Sequence, residues 1–596
     1  MAEIKKILSL VAISLQCGGS KLEIDDDIIV EISVSKSVNK ISRANVRLTF
    51  ANLPLEEAYK FTEKENLKPG GDISIQIGYQ EETIEEIFKG VIKSHKLSRD
   101  EDRRISLEME CAHKSLLLGT IRKNGIFQGK DSDIIKKIIA SSGLSANVST
   151  GGTIHKEMVQ YYCSDWDFIL SRAEACGMIV LTNDDKIKID KPDLSKSPAF
   201  EVSDQDGLLS FSASVDGENQ FKSVEAQTWD SATQKNIKVT SGSISSSLGG
   251  SITTDSLAST FNKKNYFLQT NANMPNDELK AWAESKLAYS KISRISGTAV
   301  VQGTAKANPG EIVKISGISK LFNGNAFIGS VEQRITQEKW ESELELGGDF
   351  SGYTEYTSNI EMPHGSGLIP PASGIQIAKV VEVGNDTDGN FRIKIKLTSM
   401  IDKSETIMAR LSNLYASESC GIVFLPEVDD EVIVAFINND PRNAVILGSV
   451  FSSKRAMPVT PDKKNEIKSI VTKSKMKVTF DEKNKIITIE TPGGNKFILD
   501  DKAKKIELAD SNRNKIMMNS SGITLDSGKD VKISAKGQIT INAMMGAKIE
   551  AKTTLDLNAT SIKIDAKAAL EAKANGMAKL QSSGILTIQG TLVKIN

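Results

Sequence analysis

From residue 476 onward the apolar residues of this chain come in pairs, two positions apart. Val478/Phe480, Ile487/Ile489, Phe497/Leu499, Ile506/Leu508 and Ile516/Met518 follow one another at nine or ten residues. The step then tightens to seven or eight through Ile523/Leu525, Val531/Ile533, Ile539/Ile541, Ala547/Ile549, Leu555/Leu557, Ile562/Ile564, Leu570/Ala572, Ala578/Leu580, Leu586/Ile588 and Val593/Ile595. An α-helical stripe repeats at seven or eleven residues, and a stripe repeating at eight would walk around the cylinder. A short strand followed by a corner keeps a period of eight indefinitely. The Ala/Lys-rich stretch 565–580, helical by propensity alone, therefore reads as strand–corner units in step with its neighbours.

Two inward side chains per strand form too little core for one chain to bury alone. A single-chain β-helix with roughly three octads per coil would show a super-period of about 24 residues, and the octads instead look interchangeable. The pattern predicts three identical chains wrapped together. The expected axial residues are Ile523, Leu525, Val531, Ile533, Ile539, Ile541, Ile549, Leu555, Leu557, Ile562, Ile564, Leu586 and Ile588. At one ladder spacing of about 4.8 Å per octad, ten octads make a shaft on the order of 50 Å. Lys, Thr, Asp, Ser and Asn on the remaining positions keep its faces wet and discourage sideways strand addition.

Upstream, residues 1–360 read as mixed β with a few helices. "DIIVEISVS", "ANVRLTF", "DISIQIGY" and "RISLEMECA" alternate with period two, as half-buried strands do. "DSDIIKKIIASSG" and "SDWDFILSRAEACG" open on Asp/Ser caps and close on glycine, and "NDELKAWAESKLAYSK" is a third amphipathic helix. "KPGGDISIQIGY…EEIFKGVIKSHKL…RRISLEMECA" and "NPGEIVKISGI…FNGNAFIGSVEQRI…WESELELG" share a Pro-Gly turn, a strand, a Gly-containing return strand and a final alternating strand. That likeness suggests an internal duplication. The Pro/Gly/Ser-rich stretch 361–374 reads as a linker, and 375–455 as a small barrel of short strands that removes their edges. A second linker is expected over 456–475 and the needle over 476–596.

Composition narrows the function. Lys+Arg 75 against Asp+Glu 76 leaves a net charge of −1, so bulk charge points to neither nucleic acid nor a membrane surface. Cys17, Cys111, Cys163, Cys176 and Cys420 are scattered and form no CxxC, as expected of free thiols in a reducing compartment. "KKILSLVAISLQC" is similar to a lipoprotein signal, but Gln16 and Glu3 are out of place there, and it reads as a first β-strand. No stretch has the 18 apolar residues of a membrane helix, so the chain is expected to be cytosolic when made. HExxH, GxSxG and Walker A motifs are absent. His155 is a lone histidine, and "GNDTDGN" (384–390) lacks the distal glutamate of an EF-hand and reads as a turn. "EIDDDII" reads as a solvated turn. No enzyme activity and no cofactor are expected.

A mixed-β region, a small barrel and an octad prism, in that order, resemble the VgrG-type spike proteins of type VI secretion and the fused hub and needle proteins of phage tails. "DWDFILSRAEACGM" is similar to the hub signature. "LPEVDDEVIVAFINNDPRNAVILGSVF" resembles the OB-fold signature, with Pro426, Asp430, Glu431, Asp440, Pro441 and Gly448 in matching places. Met408-Ala409-Arg410 departs from the Trp-x-Arg frequent before the OB strand. The four histidines all precede the needle, unlike phage needles with a histidine-bound apical metal. The fold this implies is mainly β: a hub of β-barrel modules with inserted helices, an OB-fold barrel and a C-terminal trimeric triangular β-helix.

The resemblance further implies a homotrimer docked on an inner-tube (Hcp-like) protein and baseplate proteins. A PAAR-type tip protein would sit over Leu592, Val593, Ile595 and Asn596, with effectors as possible cargo and no nucleic acid. Such a spike is assembled in the bacterial cytoplasm and then injected or released. With no further domain after Asn596, a spike without a fused toxin is expected. The rival readings are an OB-fold nucleic-acid or glycan binder and an enzymatic, muramidase-bearing needle. The first wants aromatic platforms in a basic groove, and 375–452 has no basic cluster.

Overall fold

The computed structural model describes all residues except 1–10, 81–82, 184–185, 231, 262–264, 273, 337, 349, 351, 359, 401–404 and 596. The chain forms two compact units, Met1–Val450 and Phe451–Asn596. It is mainly β, as the alternating runs require.

In the first unit, six strands form one module: β1 (Val11–Cys17), β2 (Ile29–Ser37), β3 (Arg43–Thr49), β4 (Asp72–Tyr79), β5 (Glu85–Arg99) and β6 (Ile105–Ala112). They pair antiparallel in the order β1-β4-β5-β6-β3-β2. Their inward residues, among them Leu15, Ile32, Val46, Ile75, Phe88 and Leu107, make one core. The segment similar to a signal sequence thus supplies a strand, with Cys17 fully buried.

A second module follows with β9 (Phe200–Ser203), β10 (Leu208–Val215), β11 (Ile295–Gln302), β12 (Ile312–Ser316), β13 (Gly324–Ile335) and β14 (Trp340–Leu346). Its order, β9-β12-β13-β14-β11-β10, repeats that of the first module strand for strand, except that β9 runs parallel to β12. The expected duplication is therefore present in the topology. The two modules join where β2, the edge of the first, pairs with the C-terminal half of β13, beyond the part that pairs with β12, from Ile32↔Ile335 to Ser37↔Ser330.

Between the modules lie the hairpin of β7 (Arg122–Lys130) and β8 (Ile154–Ser164) and two helices, α1 (Asp131–Ser141) and α2 (Asp165–Ala175). A third helix, α3 (Asn276–Ile292), precedes β11. Ser164 caps α2 by accepting from the Asp167 backbone N–H at 3.1 Å. The expected Asp131 cap does not form, because its carboxylate turns inward. It accepts from Arg172 Nε (2.8 Å) and the Thr153 backbone N–H (3.1 Å), and pairs with His155 Nε2 at 2.9 Å, while Arg172 also reaches Glu278. Burial pushes the Asp131 carboxyl up, but Arg172 and His155 more than offset it and hold it below its ordinary range. His155, isolated in the sequence, is thus a largely buried hydrogen-bond partner of Asp131.

Residues 376–449 close a five-stranded barrel of β15 (Gln376–Glu382), β16 (Ile393–Leu397), β17 (Ile407–Leu411), β18 (Glu431–Phe436) and β19 (Ala444–Ser449), in the order β15-β16-β17-β19-β18. Ala378, Val380, Ile395, Val432, Val434 and Ile446 fill it. Closure leaves none of these strands with a free edge.

The second unit opens with a seven-stranded antiparallel meander: β20 (Ile467–Val471), β21 (Lys477–Asp481), β22 (Ile486–Glu490), β23 (Lys496–Asp500), β24 (Lys505–Ala509), β25 (Lys515–Asn519) and β26 (Gly522–Asp526). β20 lies inside 456–475, the stretch expected to be a linker. "IKSIV" carries a single short alternation with a lysine in it, too little to stand out before the sheet supplies its partner strand. The nine-to-ten-residue spacing is hairpin geometry, a five-residue strand plus its turn, rather than an octad corner. The octads begin where the meander ends.

Candidate assembly interface

Residues paired across adjacent strands share a face. The registers of β20–β26 therefore line up two continuous rows. One runs Ile470, Val478, Ile489, Phe497, Leu508, Ile516 and Leu525. The other runs Lys468, Phe480, Ile487, Leu499, Ile506, Met518 and Ile523. Every pair read from the sequence between 478 and 525 falls in these rows, and Lys468 is their one polar member. All are half-buried to exposed in the single chain, Ile523 at 75%. Burying a large aliphatic side chain stabilises by about 1.5–3 kcal/mol, so a face of this extent is built to be covered.

The opposite face is mixed: Ile467, Val471, Ile486, Ile498 and Met517 lie on it among charged and hydroxyl residues joined in charge ladders. Glu490 faces Lys477 at 3.0 Å and Lys496 at 3.8 Å, and Glu507 faces Lys505 at 3.0 Å and Lys515 at 3.3 Å. Hydrogen bonding from Lys477 and from Lys505, respectively, is the first cause holding each carboxyl below its ordinary range. Charged groups are thus concentrated on one face of the sheet, and the other is apolar but for Lys468.

Beyond Asp526 the backbone is extended and bends at a regular interval. Bends fall at Gly528–Lys529, Lys536–Gly537, Met544–Met545, Lys552–Thr553, Thr560, Lys567–Ala568, Asn575–Gly576, Ser583–Gly584 and Thr591, seven or eight residues apart. No helix forms over 565–580. Val531, Ile533, Ile539, Ile541, Ile549, Leu555, Leu557, Ile562, Ile564, Leu586 and Ile588 lie between these corners, all at least half exposed. Among the described residues, 527–595 make no strand pairing and no backbone–backbone hydrogen bond. Leu592, Val593 and Ile595 are exposed at its end, and Asn596 lies outside the described residues.

The barrel residues singled out from the sequence serve its turns. Asp440 is buried and accepts from the Arg442 backbone N–H (2.9 Å) and guanidinium (2.6 Å), which lowers its carboxyl to about 2. Pro441 follows it in the turn. Glu431 opens β18, and Gly448 pairs with Ile433 beside a bulge in β19. Pro426 lies in the excursion between β17 and β18. The "GNDTDGN" loop wraps a guanidinium: Asp386 accepts from the Asn390 and Arg392 backbone N–H groups, both at 3.0 Å, and from Arg392 Nη2 at 2.8 Å. Arg392 fills the place a cation would take and holds the Asp386 carboxyl far below its usual range. Among the described residues no three His, Cys, Asp or Glu side chains are grouped to hold a metal ion.

Three family models match the chain. The Alg8 N-terminal domain matches residues 8–337, the type VI secretion system/phage-baseplate injector OB domain 376–451, and the phage baseplate V C-terminal trimerisation domain 486–547. Among curated proteins, the type VI secretion system spike protein VgrG1c of Pseudomonas aeruginosa is 23% identical over 165 residues, covering 25% of this chain and 22% of that protein. VgrG1a of the same organism is 24% identical over 162 residues, 25% of each. The matched stretch thus spans about a quarter or less of the curated relatives.

Similar solved structures include the prophage MuSo2 43 kDa tail protein from Shewanella oneidensis, with TM-score 0.42, 13% identity, and coverage of 56% of this chain and 98% of that one. An Escherichia coli protein described as a component of the type VI secretion system matches with TM-score 0.36, 13% identity and coverage of 73% and 99%. VgrG in a Francisella PdpA-VgrG complex matches with TM-score 0.36, 10% identity and coverage of 88% and 81%.

Proposed function

This chain belongs to the family that the Alg8 N-terminal domain model describes over more than half its length, and it carries phage-baseplate and type VI secretion spike domains beyond, so we propose that it is the trimeric central spike of a contractile injection system. One observation carries the reading. Residues 527–595 bend every seven or eight residues, expose an apolar pair between most corners, and make no backbone–backbone hydrogen bond among the described residues. Unpaired peptides and bare aliphatic side chains are both costly to leave unmet, and three copies wound together meet both demands at once.

In this reading the N-terminal modules dock on an Hcp-like inner tube and on baseplate proteins. Sheath contraction drives the C-terminal shaft through a target envelope. Leu592, Val593, Ile595 and Asn596 seat a PAAR-type tip, and effectors ride on the assembly. The particle is assembled in the bacterial cytoplasm and then injected or released. The protein works mechanically, without catalysis or cofactor, in keeping with relatives that are spike proteins. A nucleic-acid or glycan binder and a muramidase needle find no comparable support in those relatives.

Multi-angle light scattering on the full-length protein is expected to give three times 64.7 kDa. A stable monomer at micromolar concentration would rule the reading out. Murein hydrolysis by the purified protein would overturn its non-catalytic part.

A further inference from the structure

The excursion between β17 and β18 carries an apolar strand with nothing to pair with. The chain leaves the barrel at Ser412, whose N–H donates to Ile446 O at 2.9 Å. It makes a minimal hairpin, Ala416–Ser417 against Cys420–Gly421, extended by Ile422 N–H to Tyr415 O at 2.9 Å. The next three residues, Val423, Phe424 and Leu425, make no backbone–backbone hydrogen bond among the described residues. Pro426 ends the run, and Glu427 N–H donates to Asp430 Oδ2 at 2.8 Å, fastening the chain again before β18. Val423 is 75% and Phe424 63% exposed.

Ile-Val-Phe-Leu is a strong strand former, and an exposed apolar stretch with free peptide groups is a template for pairing. The barrel cannot satisfy it, because closure gives each barrel strand two neighbours already. Glu418, Glu427, Asp429 and Asp430 flank the segment, which disfavours an anionic lipid surface. A second copy is the occupant already at hand: the match to a trimerisation domain over 486–547 places other copies at high effective concentration. A contact of one copy's segment on the next copy is heterologous and closes after three.

We propose that Ile422–Leu425 is an intersubunit strand, covered in the assembled protein by the neighbouring copy of this chain. The proposal rests on the trimeric reading, since a monomer offers the segment no partner. Full-length protein of known mass, followed by hydrogen exchange, separates the two. A trimer in which the Val423–Leu425 amides are slowed on the order of a hundredfold relative to free chain supports the proposal. A trimer in which they exchange at the free rate overturns it and leaves the trimeric reading standing, whereas a monomer overturns both. Replacing Phe424 by a photoreactive benzoyl-phenylalanine gives an independent readout. Crosslinked dimers and trimers are expected on irradiation, and crosslinks confined to single chains would overturn the assignment.

Discussion

Gly90 and Gly329 occupy the same place in the two copies of the β-module, in "FKGV" of β5 and "FIGS" of β13. A Cβ on Gly90 would lie 2.3 Å from Ala112 O, and one on Gly329 would lie 2.6 Å from Gly347 O. At both sites the end of the following strand approaches too closely for any side chain, which is why the return strand of each module carries glycine. Gly90→Ala and Gly329→Ala are each expected to destabilise the first unit by about 1–3 kcal/mol, read as a lower urea midpoint. At Ile541, 80% exposed in the single chain, substitution tests the axial assignment. Ile541→Asp would place three carboxylates in an apolar axis at a cost of several kcal/mol. Loss of the trimer by light scattering is expected, with Leu557→Asp behaving alike. A trimer of unchanged thermal stability in both variants would place these residues off the axis.

The two β patterns of the C-terminal unit differ because their strands find partners differently. A five-residue strand with a hairpin turn repeats at nine or ten residues and pairs with the next strand of the same chain, as β20–β26 do. An octad has only a corner between extended segments, which form no strand pairing among the described residues. In the meander the carboxyls of Glu490 and Glu507 are both held low by lysines. Carboxyls held below their unfolded value stabilise the sheet above that value and lose the contribution as pH falls through their folded values. The thermal stability of the C-terminal unit is therefore expected to be flat from pH 8 to about 5.5 and to decline below about pH 4.3. Circular dichroism melts at stepped pH check this, and Lys505→Ala with Lys515→Ala should flatten the decline. The effect is small for each pair, because such surface pairs are solvent-screened.

On the trimeric reading, the protein depends on three copies for residues 527–595, which make no backbone–backbone hydrogen bond among the described residues. Melting of the C-terminal unit is accordingly expected to depend on protein concentration. A concentration-independent transition would show that the octads need no second copy. Removing Leu592–Asn596 is expected to leave the trimer intact while abolishing co-purification of a co-expressed PAAR-type protein. Retention of that protein would move its seat elsewhere.

Much of this was legible in residue patterns because period and partner are local properties. Apolar residues two apart announce strands, and their spacing changes where the meander ends, although the pattern alone joined both stretches in one needle over 476–596. The duplication was visible in "FKGV" and "FIGS", and the turn role of "GNDTDGN" in its lack of a distal glutamate. What stayed hidden depended on neighbours remote in sequence. Ile467–Val471 became a strand only through β21, Asp131 left its helix cap for Arg172 and His155, and Arg392 filled the loop that Asp386 opens. The unpaired state of Val423–Leu425 emerged only once closure of the barrel had used every edge that the segment might otherwise have joined. The octads themselves carry period and polarity in their sequence. Their missing partners show only in three dimensions, because a hydrogen bond is a relation between two strands.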